Sequence, residues 1–264
     1  MSKTSPRLIL LLTNHQRRTF TFLFASDTLP LNRALLCRHS RIVRKLLEQR
    51  PSATSLQLSR DYYNAFQSIF DYVEQGTVPF APGCVDPDDV EARRYMDVML
   101  LLCCFAETYE MDDLANRSMD ALRSHEYQCQ GSLIGRHIEE IYQHTAAGSR
   151  LRHYCALRTA CFIWNAGDSE KVSASLNDLL HRIPDFGGDV RIAQSTIRRA
   201  QVQTPDCDSP DNHFGVCEFH THRNGDICHV MLAMFAAGLT LYIGDLTGRM
   251  TEHDLMELFK EYEV

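Results

Sequence analysis

The chain has 264 residues, 44% of them hydrophobic and 23% charged, with a formal net charge of −7. That is length for one to two domains and apolar content for an ordinary globular core. The acid excess, spread without a long block of one sign, argues against a nucleic-acid module, which gathers Lys and Arg on one face. Taken in chain order, Leu8-Ile9-Leu10-Leu11-Leu12 comes first. A run of apolar residues without polar alternation reads as a strand covered on both faces, and this one is too short for the core of a secretory signal. Thr19-Phe20-Thr21-Phe22-Leu23-Phe24 is a second strand, turned by Ala25-Ser26-Asp27 into Thr28-Leu29-Pro30-Leu31. Val43, Leu46 and Leu47 predict a short amphipathic helix whose solvated face holds Arg41, Arg44 and Lys45. The Pro- and Asp-rich stretch 79–89 is a surface loop by composition.

Residues 98–106 carry no polar side chain, so a helix there must be buried all round. Directly afterwards Met111, Leu114, Ala115, Ser118 and Leu122 fall at helical spacing, and Asp112 and Asp113 are placed to accept the free amides of a helix start. Two helices meeting at a tight corner inside a small core fit this pattern, and neither offers a catalytic constellation.

These blocks resemble the BTB/POZ domain in the form common in fungal proteins. Ala106-Glu107-Thr108-Tyr109 and the segment from Leu114 to Leu122 are similar to the family's "A-x-K-Y" and "L-x-N-x-A-x-x-A-L". Upstream, Leu31-Asn32-Arg33-Ala34-Leu35-Leu36-Cys37-Arg38-His39-Ser40 resembles "V-H-K-x-L-L-x-x-x-S", with Asn32 where the family usually has histidine. Between them, Leu56-Gln57-Leu58 and the segment from Ala65 to Gly76 resemble "I-x-L … A-F-x-x-x-L-x-Y-L-Y-T-G". The blocks keep the family's order over roughly residues 19 to 123. The resemblance implies an α+β fold, a small sheet with a helical cluster, and a protein that self-associates or recruits protein partners.

Farther on the chain reads as helical. Ile134, Ile138, Ile141 and Tyr142 form one stripe, and Val172, Leu176, Leu179, Leu180 and Ile183 another. Between them Thr145-Ala146-Ala147-Gly148-Ser149-Arg150-Leu151-Arg152 resembles the "T-x-x-G-S-x-L-R" that follows the domain in fungal members. Gly148 is expected to end one helix and Ser149 to cap the next. That next helix, with Cys155, Leu157, Cys161, Phe162 and Trp164, should dock the extension. Gly187-Gly188 reads as a break before a last helix through Val190, Ala193, Ile197 and Ala200, and 204–215 as a linker.

The sharpest local chemistry is Cys217-Glu218-Phe219-His220-Thr221-His222 with Cys228 nearby. A cysteine three residues before a histidine can share one ion, His220 and His222 share a face of an extended segment, and Cys228 completes a tetrahedron. Zinc is therefore the one candidate cofactor; otherwise these are a buried cysteine and hydrogen-bonded or exposed histidines of a small cap. The same "C-x-[YF]-H-x-H" string recurs near the end of the fungal family resembled here. His137 and His144 look like a metalloprotease helix but stand seven apart, about 10 Å along a helix, where one ion cannot join them. Neither a G-x-S-x-G elbow nor a phosphate-binding G-x-x-x-x-G-K-[ST] loop is present. Cys37, Cys103 and Cys104 read as small core residues, and the irregular spacing of the ten cysteines as reduced thiols of an intracellular, cytoplasmic or nuclear protein. The stretch 230–243 is short for a membrane span and contains Gly238 and Thr240. Finally, 241–246 and 251–262 resemble the first strand and helix of an RNA-recognition motif, Tyr242 standing at a base-stacking position; half a domain lacks the sheet that stacks bases.

The reading divides the chain into a BTB/POZ-like domain (7–125), an α-helical extension (126–203), a linker with a Cys/His cap (204–235) and an incomplete RRM-like fragment (236–264). The function the resemblance implies is that of a non-enzymatic interaction or adaptor module that self-associates or recruits a protein partner, as members of that family do for cullin ubiquitin ligases or transcription complexes. No nucleic acid or membrane partner is expected. The alternatives are a zinc-binding protein through Cys217, His220, His222 and Cys228, or a truncated RNA-binding protein. A homodimer pairing through Leu8 to Leu12 is expected, because an extra strand in so small a sheet presents bare amides.

Overall fold

Phenylalanine at every second position builds the first strand. In the computed structural model, which describes residues 19–24, 27–79, 89–129, 135–166, 174–201, 203, 205–208, 217–222, 228 and 230, β1 (Thr19–Phe24) buries Phe20, Phe22 and Phe24. Its alternate residues face outward, the period of two expected of a half-buried strand. β2 (Asp27–Asn32) pairs with it antiparallel, Phe22 opposite Leu29, and β3 (Ser55–Gln57) pairs parallel on the other side, Phe22 opposite Leu56. The order is therefore β2-β1-β3. Pro30 sits in β2, an outer strand, where a missing amide is tolerated. The expected strand 56–58 is displaced by one residue, Leu58 following it with its amide on the Leu23 carbonyl.

Side-chain caps then set the helices. Asn32 begins α1 (Arg33–His39): its side-chain oxygen accepts from the Ala34 and Leu35 amides at 3.0 and 3.3 Å. Ser40 ends α1 and starts α2 (Arg41–Gln49), accepting from the Val43 amide at 3.1 Å and donating to the Tyr109 carbonyl at 2.8 Å. A 3₁₀ turn (Arg60–Ala65) leads into α3 (Phe66–Gln75). The face of α2 expected to be solvated is partly engaged: Arg41 and Lys45 pair with Glu110 at 3.1 and 3.7 Å, and the Arg44 Nε donates to the Cys37 carbonyl.

Helix α4 (Val90–Thr108) lies at the centre of the described core. Residues 99–106 are all buried, Val98 being only half so. Phe105 meets Phe22 and Tyr62 edge-on at 5.9 and 5.4 Å, joining the sheet to the helices. The corner to α5 (Asp112–Cys129) is a Schellman turn: the Met111 amide reaches the Ala106 carbonyl, and Glu110 takes φ +50°. That conformation strains a non-glycine residue, and the ion pairs with Arg41 and Lys45 hold Glu110 in it.

Gly148, at φ +82°, follows α6 (Gly135–His144), and the Ser149 Oγ accepts from the Arg152 amide at 3.1 Å to open α7 (Arg150–Ala166), as expected. Arg152 completes the joint: its guanidinium bonds the Tyr142 and Thr145 carbonyls at the end of α6 and lies 4.5 Å over the Tyr142 ring. In α7, Leu151, Tyr154, Cys155 and Leu157 make the buried face, whereas Phe162 is 54% exposed. Trp164 is half-buried and donates to the Gln203 carbonyl. None of the helices is long and apolar enough to cross a membrane, among the described residues. Cys103, Cys104 and Cys155 are buried free thiols, but Cys129 is disulfide-bonded, which corrects the reduced-thiol expectation there.

The predicted break at Gly187-Gly188 is also corrected: α9 (Pro184–Ala200) runs through both, and the break lies at Ile183, between α8 (Ala174–Arg182) and the proline that starts α9. Gly187 serves close approach instead, since a Cβ there would lie 2.5 Å from the Leu180 backbone oxygen. A Cβ on Gly188 would meet only the flexible end of Arg191, at 4.0 Å. Gly187→Ala should therefore cost about 1–3 kcal/mol, and Gly188→Ala should be neutral or stabilise by up to about 1 kcal/mol through helix propensity. Urea denaturation of the two variants checks the difference in sign.

Candidate metal centre

The segment 217–222 is seated on α5 and α7 by contacts at nearly every residue. Residues 217–219 form a turn, the His220 amide donating to the Cys217 carbonyl at 3.0 Å. Phe219 is buried against Tyr154, ring centroids 5.2 Å apart, with the Arg123 guanidinium 4.9 Å from its centre. Glu218 pairs with His153 at 2.7 Å, and its carbonyl accepts from Arg150. Asn116 reads the backbone of Thr221 in both directions: its amide donates to the carbonyl at 3.1 Å and its oxygen accepts from the amide at 2.8 Å. His220 has no exposed side-chain surface and places Nε2 2.8 Å from Asp120 Oδ1.

Cys217, His220, His222 and Cys228, the four expected ligands, come together here: one ligand atom from each lies within 4.8 Å of all the others. His220 and Cys228 are buried, Cys217 is half-buried and His222 exposed, and the two imidazole rings stand 5.7 Å apart. Two thiols and two imidazoles form a donor set that suits a tetrahedral ion. A tetrahedral zinc 2.0–2.3 Å from its ligands sets neighbouring donor atoms about 3.3–3.8 Å apart, inside the span these four atoms already share. This group can hold a metal ion.

The other expected site residues lie apart. His137 is buried, its Nε2 2.9 Å from Asp97, while His144 faces Asp61 at 3.8 Å. Burial lowers the His137 pKa and Asp97 works against it. Cys103 and Cys155 are each pushed up to about 12 by burial, and Cys37 upward as well, which keeps these thiols protonated and poor nucleophiles. A groove of about 570 Å³ between the α4–α5 corner and the α6–α7 turn is lined by Glu107, Asp112, His144 and Arg150. Within it Glu107, raised by burial, accepts from the Leu151 amide at 3.1 Å and so caps α7. Leu8, Ile9, Leu10, Leu11 and Leu12, and the RRM-like stretch 236–264, lie outside the described residues.

Two anchors were invisible in the local pattern. One is the Asn116–Asp120 face of α5. The other fixes residues 205–208, expected to be linker: Arg123 donates to the Cys207 carbonyl, and Tyr154 and Arg158 hold Asp208 at 2.5 and 2.8 Å. Arg158 also pairs with Glu126, whose side chain is wholly enclosed, at 2.5 Å. The signal available in the sequence was polar residues on the apolar stripe of α5: Asn116, Arg123 and Glu126 beside Leu114, Met119 and Leu122. No model of a known protein family matches the chain, and no curated protein matches it.

One guanidinium facing two carboxylates leaves an uncompensated buried negative charge. Burial accordingly pushes Glu126 up to about 7, against the pull of Arg158 and with help from Asp208. Its ordinary value is 4.5, so between about 4.5 and 7 the folded chain keeps a proton that the unfolded chain has lost. Stability from this group is full below that window and falls as pH rises through it, by about 3 kcal/mol at most. Denaturation at pH 5 and pH 7.5 should show the decline, and Glu126→Gln should flatten it.

Proposed function

We propose that this chain is a non-enzymatic protein-interaction module of BTB/POZ type, acting as an adaptor, with a structural zinc ion at Cys217, His220, His222 and Cys228. The observation that carries the reading is that its three family-like sequence blocks converge on one another. Ser40, from the first, donates to the Tyr109 carbonyl of the third. His39 packs on Tyr72 of the second at 5.0 Å, and the Tyr72 hydroxyl donates to Asp113 beside the third at 2.8 Å. Residues this far apart in sequence, joined this way, behave as one structural unit. The proposed partner is a protein, a second copy of the chain included. In support of self-association, β2 and β3 are the outer strands of the described sheet, and an added strand such as 8–12 would find an edge to pair with.

Zinc is supported by the Cys₂His₂ donor set, and four protein ligands would make the site closed and structural, with no position open for a substrate. Metal analysis of purified protein should find one zinc per chain. Stripping it should lower the melting temperature by about 5 °C or more, as expected when a tight ligand is removed. Protein that neither carries zinc nor binds it on addition counts against the assignment. Light scattering should find a dimer at micromolar concentration that a chain beginning at Arg17 does not form; a monomeric full chain refutes pairing through 8–12.

A further inference from the structure

We infer that Asp120 is the positioning residue of this metal centre: it accepts a hydrogen bond from the Nε2–H of His220, leaves Nδ1 for the ion, and so makes metal binding and the seating of 217–222 on α5 one event. The inference rests on reading the Cys/His cluster as a zinc site, and adds a residue that lies outside the ligand motif.

The geometry is direct. A neutral imidazole has one N–H and one lone pair, and an ionised carboxylate can only accept. With Nε2 2.8 Å from Asp120 Oδ1, the proton belongs on Nε2 and the lone pair on Nδ1. The ring is wholly enclosed, so it cannot swing to exchange the two nitrogens without leaving its place. A histidine held this way is a more basic and better-oriented ligand than one in free rotation. Asp120 is itself supported: Arg123 lies 3.8 Å away, its other nitrogens committed to the Cys207 carbonyl. One helical turn earlier on the same face, Asn116 clamps Thr221, the residue after the ligand. Buried Phe219 fixes the residue before it. The ligand loop is thus pinned to the protein at 219, 220 and 221, and an ion drawn to His220 finds its nitrogen already aimed.

The test uses the full-length protein, stripped of metal, and the Asp120→Asn, Asp120→Ala and Asn116→Ala variants. Zinc affinity is measured by competition with a chromophoric chelator. The His220 tautomer is read from imidazole nitrogen shifts in metal-free protein labelled at histidine. Wild type should bind one zinc with His220 protonated at Nε2. Asp120→Ala should lose the fixed tautomer and bind zinc about 10–100-fold more weakly. Asp120→Asn, of the same shape, should bind with intermediate affinity and keeps the test open if the alanine variant does not fold. Asn116→Ala, which loosens the loop without touching His220, should leave the tautomer intact. If wild type binds no zinc, the metal reading itself fails. If wild type binds zinc and both Asp120 variants match it, the metal reading survives and the role given to Asp120 is wrong. A loss of affinity in Asp120→Ala no greater than in Asn116→Ala, with the tautomer unmoved, also overturns that role.

Discussion

The described elements are arranged around a helix that, over residues 99–106, has no side that water can touch. Residues 99–106 are buried without exception, and an all-apolar helix must be covered on every face. One side is closed by the sheet and the 3₁₀ turn through Phe22, Tyr62 and Phe105. Another is closed by α5, which the Schellman corner folds straight back along it. Burying a Leu or Phe side chain contributes about 1.5–3 kcal/mol, so this helix gathers a large share of the apolar gain. The elements around it are placed by that demand.

Because the centre is apolar, the polar groups that remain inside serve as joints. Ser40 is the clearest case. Wholly buried, it ends one helix, starts another and fastens the α4–α5 corner. Arg152 does the same for α6 and α7 through two carbonyls and an aromatic face. A guanidinium suits this role because its planar fork reaches several acceptors at once. Removing either would leave buried acceptors or amides without partners, which costs more than the hydrogen bonds contribute.

The same economy of polar groups explains how the segments after α9 are held. Residues 205–208 and 217–222 contain little regular structure, and their backbone polar groups are answered by side chains of α5 and α7: Asn116, Arg123, Arg150 and Asn165. On this foundation the Cys/His cluster is a third kind of fastening. Hydrogen bonds seat the loop, aromatic burial of Phe219 excludes water, and a metal ion would add bonds that a segment this short cannot get from a core of its own.

What the sequence determined by itself was whatever depends on neighbours along the chain. The strand 19–24 follows from alternation, the α4–α5 pair from an unbroken apolar run and the helical stripe that follows it, and the Gly148–Ser149 joint from conformational freedom beside a capping hydroxyl. The four candidate ligands were legible for the same reason: within twelve residues, spacing alone limits which side chains can meet. Only tertiary packing could show that His220 meets Asp120 and Thr221 meets Asn116, 100 and 105 residues away. It alone could seat Cys207 and Asp208 on α5 and α7, and turn Gly187 from a helix breaker into the place where α8 comes close. The physical reason is that caps and periodicity are properties of local backbone and are fixed before the helices pack. Which buried polar group finds which partner depends on the angle and depth at which those helices come to rest.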